Sequence, residues 1–173
     1  MKRQIDVWDY AGHIMKDIGK GILLTTKAEG KVDSMAIGWG TLGVQWGKPI
    51  FIAFVRESRY TREQLEKNGQ FTVNIPLGAV DKQIIALCGS TSGRDTDKVA
   101  QLGLTLEEGQ TVSVPGIKEL PLTLECKVIY KQAQEPAAID GEDRQRFYAQ
   151  GTANENDYHT AYYGQITAAY IIE

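Results

Sequence analysis

Apolar and polar positions alternate over short stretches along most of this chain, and turn residues interrupt them at close intervals. Gly19, Gly21, Gly30, Gly43, Gly47, Gly69 and Gly78 punctuate the first half alone. Between them lie β-type runs at Gly21–Thr26, Val32–Thr41, Pro49–Val55 and Gln70–Ile75, followed by Leu120–Lys131, Arg146–Ala153 and Gly164–Ile172. A period of two sends successive side chains to opposite faces of a sheet. Many short strands with frequent turns predict an all-β barrel or sandwich.

Three short segments carry helical spacing instead. Thr61–Asn68 opens on Thr-Arg-Glu-Gln, a weak capping box, and stops at Asn68-Gly69. Gly78–Leu87 and Thr96–Leu102 follow, the latter ending at Gly103. None is long enough to be a crossover helix followed each time by a parallel strand, which argues against a doubly wound parallel sheet. Leu106–Ile117 and Gln132–Asp143, rich in Gly, Pro and acids, read as surface connections.

Composition narrows the picture. At 173 residues, with 42% hydrophobic and 24% charged residues, the chain fits a single domain over 1–173. A net charge of −3 gives no global basic field for nucleic acid or an anionic membrane, so any anion site must be local. Cys88 and Cys126 are far apart and read as free thiols. The polar start MKRQIDVWDY lacks the apolar core of a signal peptide, and no apolar run approaches the ~20 residues of a membrane span. The expected location is cytoplasmic.

Three clusters could carry chemistry. Arg56-Glu57-Ser58-Arg59-Tyr60-Thr61 follows an apolar strand and leads into a helix. A helix N-terminus presents unpaired N–H groups, and two arginines and two hydroxyls beside it would suit one phosphate. A solvated turn with Thr61 as a simple N-cap fits equally well. In Ser34–Thr41, Ser34, Ala36, Gly38 and Gly40 make one face very small, so that a flat ligand, or simply another part of the barrel, can approach closely. Leu87–Lys98 is a Gly/Ser/Thr-rich loop that could donate N–H groups to an anion, or be a plain loop with Asp95 capping the next helix. It is not a P-loop. His13 and His159 show no metal-ligand spacing, and no zinc pattern or nucleophile elbow is present. Cys126 lies in the alternation Leu122, Leu124, Cys126, Val128, Tyr130 and reads as core.

Together these pieces resemble the flavin-reductase-like family, and within it the flavoredoxin branch. The resemblance runs through SMAIGWGT (Ser34–Thr41), RESRYT (Arg56–Thr61), FTVNIP (Phe71–Pro76), SGRDTDKVAQLGL (Ser92–Leu104) and LECKV (Leu124–Val128), and covers roughly residues 10 to 172. It implies a mainly β fold, an FMN-binding split barrel of Greek-key antiparallel strands with a few short helices. It also implies a homodimer with flavin near the interface, and hydride transfer from NADH or NADPH to FMN. Carried onto this sequence, the phosphate meets Arg56, Ser58, Arg59, Tyr60 and Thr61, and the isoalloxazine lies near Trp39, Gly40 and Thr41. Cys88, Gly89, Ser92 and Lys98 border the site. His159 and Tyr163 fall near the nicotinamide region, with His159 the candidate catalytic acid. The acceptor could be a flavin, a metal or a protein, and the alternative is a non-enzymatic FMN electron carrier serving a redox protein partner. The aromatic stretch Tyr158, Tyr162, Tyr163 and Tyr170 is a possible subunit surface or barrel core.

Overall fold

The computed structural model describes residues 1–173. The chain runs β1 (Lys2–Gln4), α1 (Ala11–Ile18), β2 (Ile22–Ala28), β3 (Lys31–Ile37), β4 (Gly40–Gln45), β5 (Lys48–Arg56), α2 (Tyr60–Lys67) and β6 (Gln70–Ile75). It continues through α3 (Lys82–Ser90), α4 (Lys98–Leu102), β7 (Leu106–Glu107), β8 (Gly116–Ile117), β9 (Leu122–Ala133), α5 (Gly141–Tyr148) and β10 (His159–Ile172). Eight strands form one antiparallel sheet in the order β3-β2-β6-β9-β10-β5-β4, with β1 added to β10, and β7 and β8 form a small separate ladder.

The two edges of that order, β3 and β4, are consecutive strands joined only by Gly38 and Trp39. The sheet must therefore curl until its edges meet at that link. This is a barrel split along one seam, the expected fold class. Two hairpins, β2–β3 and β4–β5, turn on Glu29-Gly30 and Trp46-Gly47, with all four residues at positive φ. Two-residue loops of that geometry match the right-handed twist of the flanking strands.

The interior is filled from alternate positions. Phe51, Ala53 and Val55 of β5 face inward with Phe71, Val73 and Ile75 of β6 and Leu122, Leu124 and Cys126 of β9. A second, smaller cluster seats α3 and α4 on the outer face of the sheet through Leu23, Ile84, Cys88 and Leu104. No helix is long and apolar enough to cross a membrane.

The structure departs from the sequence reading at β1, at the β7–β8 ladder within Leu106–Ile117, at β10, which starts at His159 and not at Gly164, and most clearly in three further places. The run Val32–Thr41 is two strands, because the chain breaks at Gly38-Trp39 to form the seam. Arg146–Ala153 is not a strand. Arg146–Tyr148 close α5, whose first turn is capped by Asp140 accepting from the Glu142 N–H, with Glu142 and Asp143 at its positive end. Helix α1 was not anticipated; Ile14 and Ile18, one turn apart, bury its single apolar face.

Candidate functional site

A cleft of about 260 Å³ opens at the seam. Four segments meet there: the end of β3 with Gly38-Trp39, the turn from β5 into α2, the loop between α3 and α4, and the first residue of β10. The antiparallel pairing of β5 with β10 brings the last of these in. Arg56 sits opposite His159 and Phe54 opposite Ala161, on the face away from the barrel interior.

The turn into α2 carries the donors. Helix α2 starts at Tyr60, with Arg59 as its N-cap residue making no side-chain capping bond. Its first N–H groups are thus left free, at the positive end of the helix dipole. Thr61, 1% exposed, and Arg59 both line the cleft, and the Arg59 guanidinium has no partner within the chain. The reading of Thr61 as a simple cap is removed, because it sits inside the first turn. The other cations are committed. Arg94 donates to Glu63 and to the Ser58 carbonyl. Arg56 donates to the Asp157 carbonyl at 2.7 Å and lies over the Tyr148 ring. Ser58 gives its N–H and its hydroxyl to the Asp157 carboxylate, at 2.9 and 2.6 Å.

The floor is a buried ion pair. Lys98 Nζ lies 3.0 Å from Asp33 Oδ1, with both side chains almost wholly enclosed. Burial pushes the Asp33 carboxyl up, and Lys98 partly offsets this. The loop closes over the pair at Gly93, where any Cβ would collide with the Asp33 carboxylate. Cys88 lies alongside, and burial pushes its thiol up to about 11, so it is protonated and unreactive at neutral pH. A Cβ at Gly89 would make only ordinary contact with Ala36, at 3.5 Å, so packing does not require glycine there.

An aromatic wall closes the other side. The Trp39 ring stands 5.0 Å from both Phe147 and His159. His159 Nδ1 is 2.6 Å from the Tyr148 hydroxyl, which also donates to Gln134 Oε1 at 3.0 Å. A hydroxyl has one proton, so with that proton on Gln134 the imidazole donates from Nδ1 and leaves Nε2 as a lone pair. Burial, reinforced by Arg56, lowers His159 to about 4. The ring is neutral at physiological pH, an environment that suits a hydrogen-bond acceptor better than the general acid anticipated from sequence.

Of the residues singled out in the sequence, Trp39, Arg56, Ser58, Arg59, Tyr60, Thr61, Cys88, Gly89, Ser92, Lys98 and His159 all line this one cleft. Gly40, Thr41 and Tyr163 do not. Gly40 faces the interior, where a Cβ would meet Phe51 Cζ at 2.7 Å, so its smallness serves barrel packing. Thr41 pairs with Ile52 beyond the cleft. Tyr163 shares the face of His159 but stands four residues along β10, roughly 13 Å away, packed on Tyr130. The reading missed Asp33, Arg94 and Phe147. Arg94 stood within a quoted motif, but the partners of all three lie far off in sequence.

Comparisons with known proteins agree with this architecture. Two curated relatives match in part: an uncharacterized protein of Archaeoglobus fulgidus, 37% identical over 43% of this chain and 42% of its own length, and the uncharacterized protein YddH of Escherichia coli, 34% identical over 55% of this chain and 50% of its own. The matches thus span half or less of these relatives. Among solved structures, the flavoredoxin of Desulfovibrio vulgaris superposes with a TM-score of 0.67 at 25% identity, covering 88% of this chain and 69% of that one. The flavoredoxin from Methanosarcina acetivorans gives 0.65 at 29%, covering 88% and 68%. An FMN-binding domain of a flavin reductases-like enzyme from Shewanella baltica shares the fold, at 0.68 and 19% identity over 99% of this chain and 77% of that one. The family model of the flavin reductase like domain matches residues 15–173, from within α1 to the last residue, and so takes in every segment that builds the cleft. The chain therefore belongs to the flavin reductase like family.

Proposed function

We propose that this chain holds FMN in the cleft at the seam and takes a hydride onto it from NADH or NADPH, passing electrons on to a flavin, a metal ion or a redox protein. The observation that carries this reading is the open donor set at the start of α2. Arg59, the Thr61 hydroxyl and the free N–H groups of the first turn share the cleft with the aromatic wall, and none is satisfied by the chain itself. That set suits a phosphate monoester. No second set of this kind lies nearby for a diphosphate, which favours FMN over FAD.

When bound, the isoalloxazine ring supplies the redox chemistry, accepting hydride at N5. The residues' share is positioning and exclusion of water. Trp39, Phe147 and His159 wall off the ring side of the cleft, and the Lys98–Asp33 pair holds the opposite loop in place. No side chain here is poised to deliver a proton at neutral pH, since His159 is neutral and Cys88 keeps its proton.

Purified protein is expected to be yellow and to release FMN on extraction. Anaerobic stopped-flow mixing with NADH or NADPH is expected to bleach the flavin. Absence of any flavin affinity overturns the reading. Flavin that neither nicotinamide bleaches leaves the electron-carrier reading, which the likeness to two flavoredoxins supports.

The functional unit we propose is a two-fold homodimer with each FMN touched by both subunits. The cleft of about 260 Å³ falls just below the few hundred Å³ usual for a small-molecule site. Trp46, 63% exposed, sits with Tyr130 and Tyr163 in one aromatic cluster on the outer face of the sheet. Such clusters mark interaction surfaces. Tyr162 and Tyr170 are not part of it, being buried with their hydroxyls on Glu66 and Glu125. Sedimentation at micromolar concentration checks this, and a monomer that holds FMN tightly contradicts it.

A further inference from the structure

The turn that carries the open donors does not support itself. Between the end of β5 and the start of α2 it is stapled from outside at four points. The Asp157 carboxylate accepts from the Ser58 N–H at 2.9 Å and from the Ser58 hydroxyl at 2.6 Å. Arg56 Nη1 donates to the Asp157 carbonyl at 2.7 Å, and the Glu57 N–H donates to the Tyr158 carbonyl at 3.0 Å. All four bonds come from two adjacent residues about a hundred positions later in the chain. From the other side, Arg94 donates to the Ser58 carbonyl at 3.1 Å.

Ser58 lines the cleft, yet both its donors are spent on Asp157, which does not line it. Ser58 is therefore a strut of the turn, in contrast to the phosphate contact that the family resemblance implies. A carboxylate placed inside the cleft would compete with an incoming anion. One placed behind the turn fixes the backbone from which Arg59 and the first N–H groups of α2 point inward.

We infer that Asp157 is a positioning residue for the anion site, holding the Arg56–Arg59 turn in the conformation that brings Arg59, Thr61 and the helix N–H groups onto one phosphate. The inference rests on the FMN reading of the cleft. A phosphate cradle works by preorganisation: donors fixed in advance spend no conformational entropy on binding. Charge-assisted bonds from Ser58 are strong enough to provide that rigidity. The Trp39–Phe147 contact of the aromatic wall is made outside this turn, so the effect of Asp157 is expected to fall mainly on ligands that carry the phosphate.

The test is equilibrium titration of the apo full-length protein with FMN and, separately, riboflavin, read by flavin fluorescence, with D157A, D157N and S58A beside wild type. D157A is expected to weaken FMN binding about tenfold, the cost of losing a charge-assisted bond, and to leave riboflavin within about twofold. D157N keeps an acceptor for the Ser58 N–H and is expected to stay within about threefold of wild type for both ligands. S58A, which removes one leg and leaves the main chain intact, is expected to lie between D157A and wild type for FMN. D157A that binds FMN as tightly as wild type, or more tightly, overturns the inference. Equal losses for FMN and riboflavin also overturn it, since they indicate general loosening. A wild-type protein that binds FMN while the variants fail these expectations sinks the role of Asp157 alone, whereas a wild-type protein that binds no flavin sinks the FMN reading and this inference together.

Discussion

Two polar sites on this sheet are built on opposite terms. Glu125, in the first half of β9, is wholly buried, and its carboxylate accepts from the Gln110 N–H at 2.7 Å, the Thr111 N–H at 2.6 Å, the Thr111 hydroxyl at 2.7 Å and the Tyr170 hydroxyl at 2.8 Å. Burial alone would raise it, yet these donors hold it below the usual carboxylate range. Every donor has its acceptor, so the site is closed and its work is to fasten the loop around Gln110 to β9. At the start of α2, Arg59 and the first helical N–H groups have no acceptor in the chain. Thr61 is buried while Arg59 is exposed, so solvent or a ligand supplies what the chain does not. A closed set explains a fold, and an open set aimed into a cleft asks for a ligand.

That contrast can be broken by experiment. The largest effect belongs to the closed site. Glu125→Ala takes the acceptor from the buried Tyr170 hydroxyl and from the more exposed Gln110 and Thr111 donors, and is expected to cost about 2–4 kcal/mol of stability, read from urea unfolding. A loss under about 1 kcal/mol would mean that the Glu125 set is not closed as described. The open site is expected to behave the other way round. On the FMN proposal, Arg59→Ala is expected to weaken FMN binding by about 1.5–3 kcal/mol, the worth of a charge-assisted phosphate contact, with riboflavin affinity and the urea midpoint nearly unchanged. Equal losses for FMN and riboflavin would show that Arg59 does not touch phosphate.

The smallest effect is a pH dependence at the aromatic wall. His159 is harder to protonate in the fold than in the unfolded chain, about 4 against 6.5, because of burial and the nearby Arg56 and Arg59, with Asp157 acting in the opposite direction. Above pH 6.5 neither state takes the proton and the neutral ring contributes fully. As pH falls from 6.5 toward 4 the unfolded chain gains the proton first, and stability is lost by roughly 1–2 kcal/mol once solvent screening from the cleft is allowed for. His159→Gln is expected to flatten thermal stability across that window. An unchanged slope in the variant would assign it to other groups.

Much of this was legible from local pattern. Gln70–Ile75 reads as a strand with the right ends because one apolar run is bounded by Gly69 and Pro76. The Arg56–Thr61 turn stands out as a candidate anion site because strand, cations, hydroxyls and helix start are contiguous in sequence, a pattern that a solvated turn fits equally well. What local pattern could not reach is pairing across distance. Asp33 and Lys98 become a buried pair only when α4 packs on β3, and Asp157 reaches Ser58 only because β10 returns beside β5. The family resemblance set Tyr163 near His159; the two share a face of β10, but four residues of strand separate them and Tyr163 lies outside the cleft. Phe147-Tyr148 reads as strand because two adjacent aromatics look the same in either period. In α5 they diverge, one ring to Trp39 and the other hydroxyl to His159.

The two-residue link at the seam also gives the molecule an optical property. Of its three tryptophans, Trp8, Trp39 and Trp46, only Trp39 lines the cleft, where it is 42% exposed. Its indole emission therefore arises at the wall itself, while the other two report on remote surface. A flat chromophore seated against that wall would quench Trp39 most strongly. The size of the quench, and its loss in Trp39→Phe, would measure occupancy without any label.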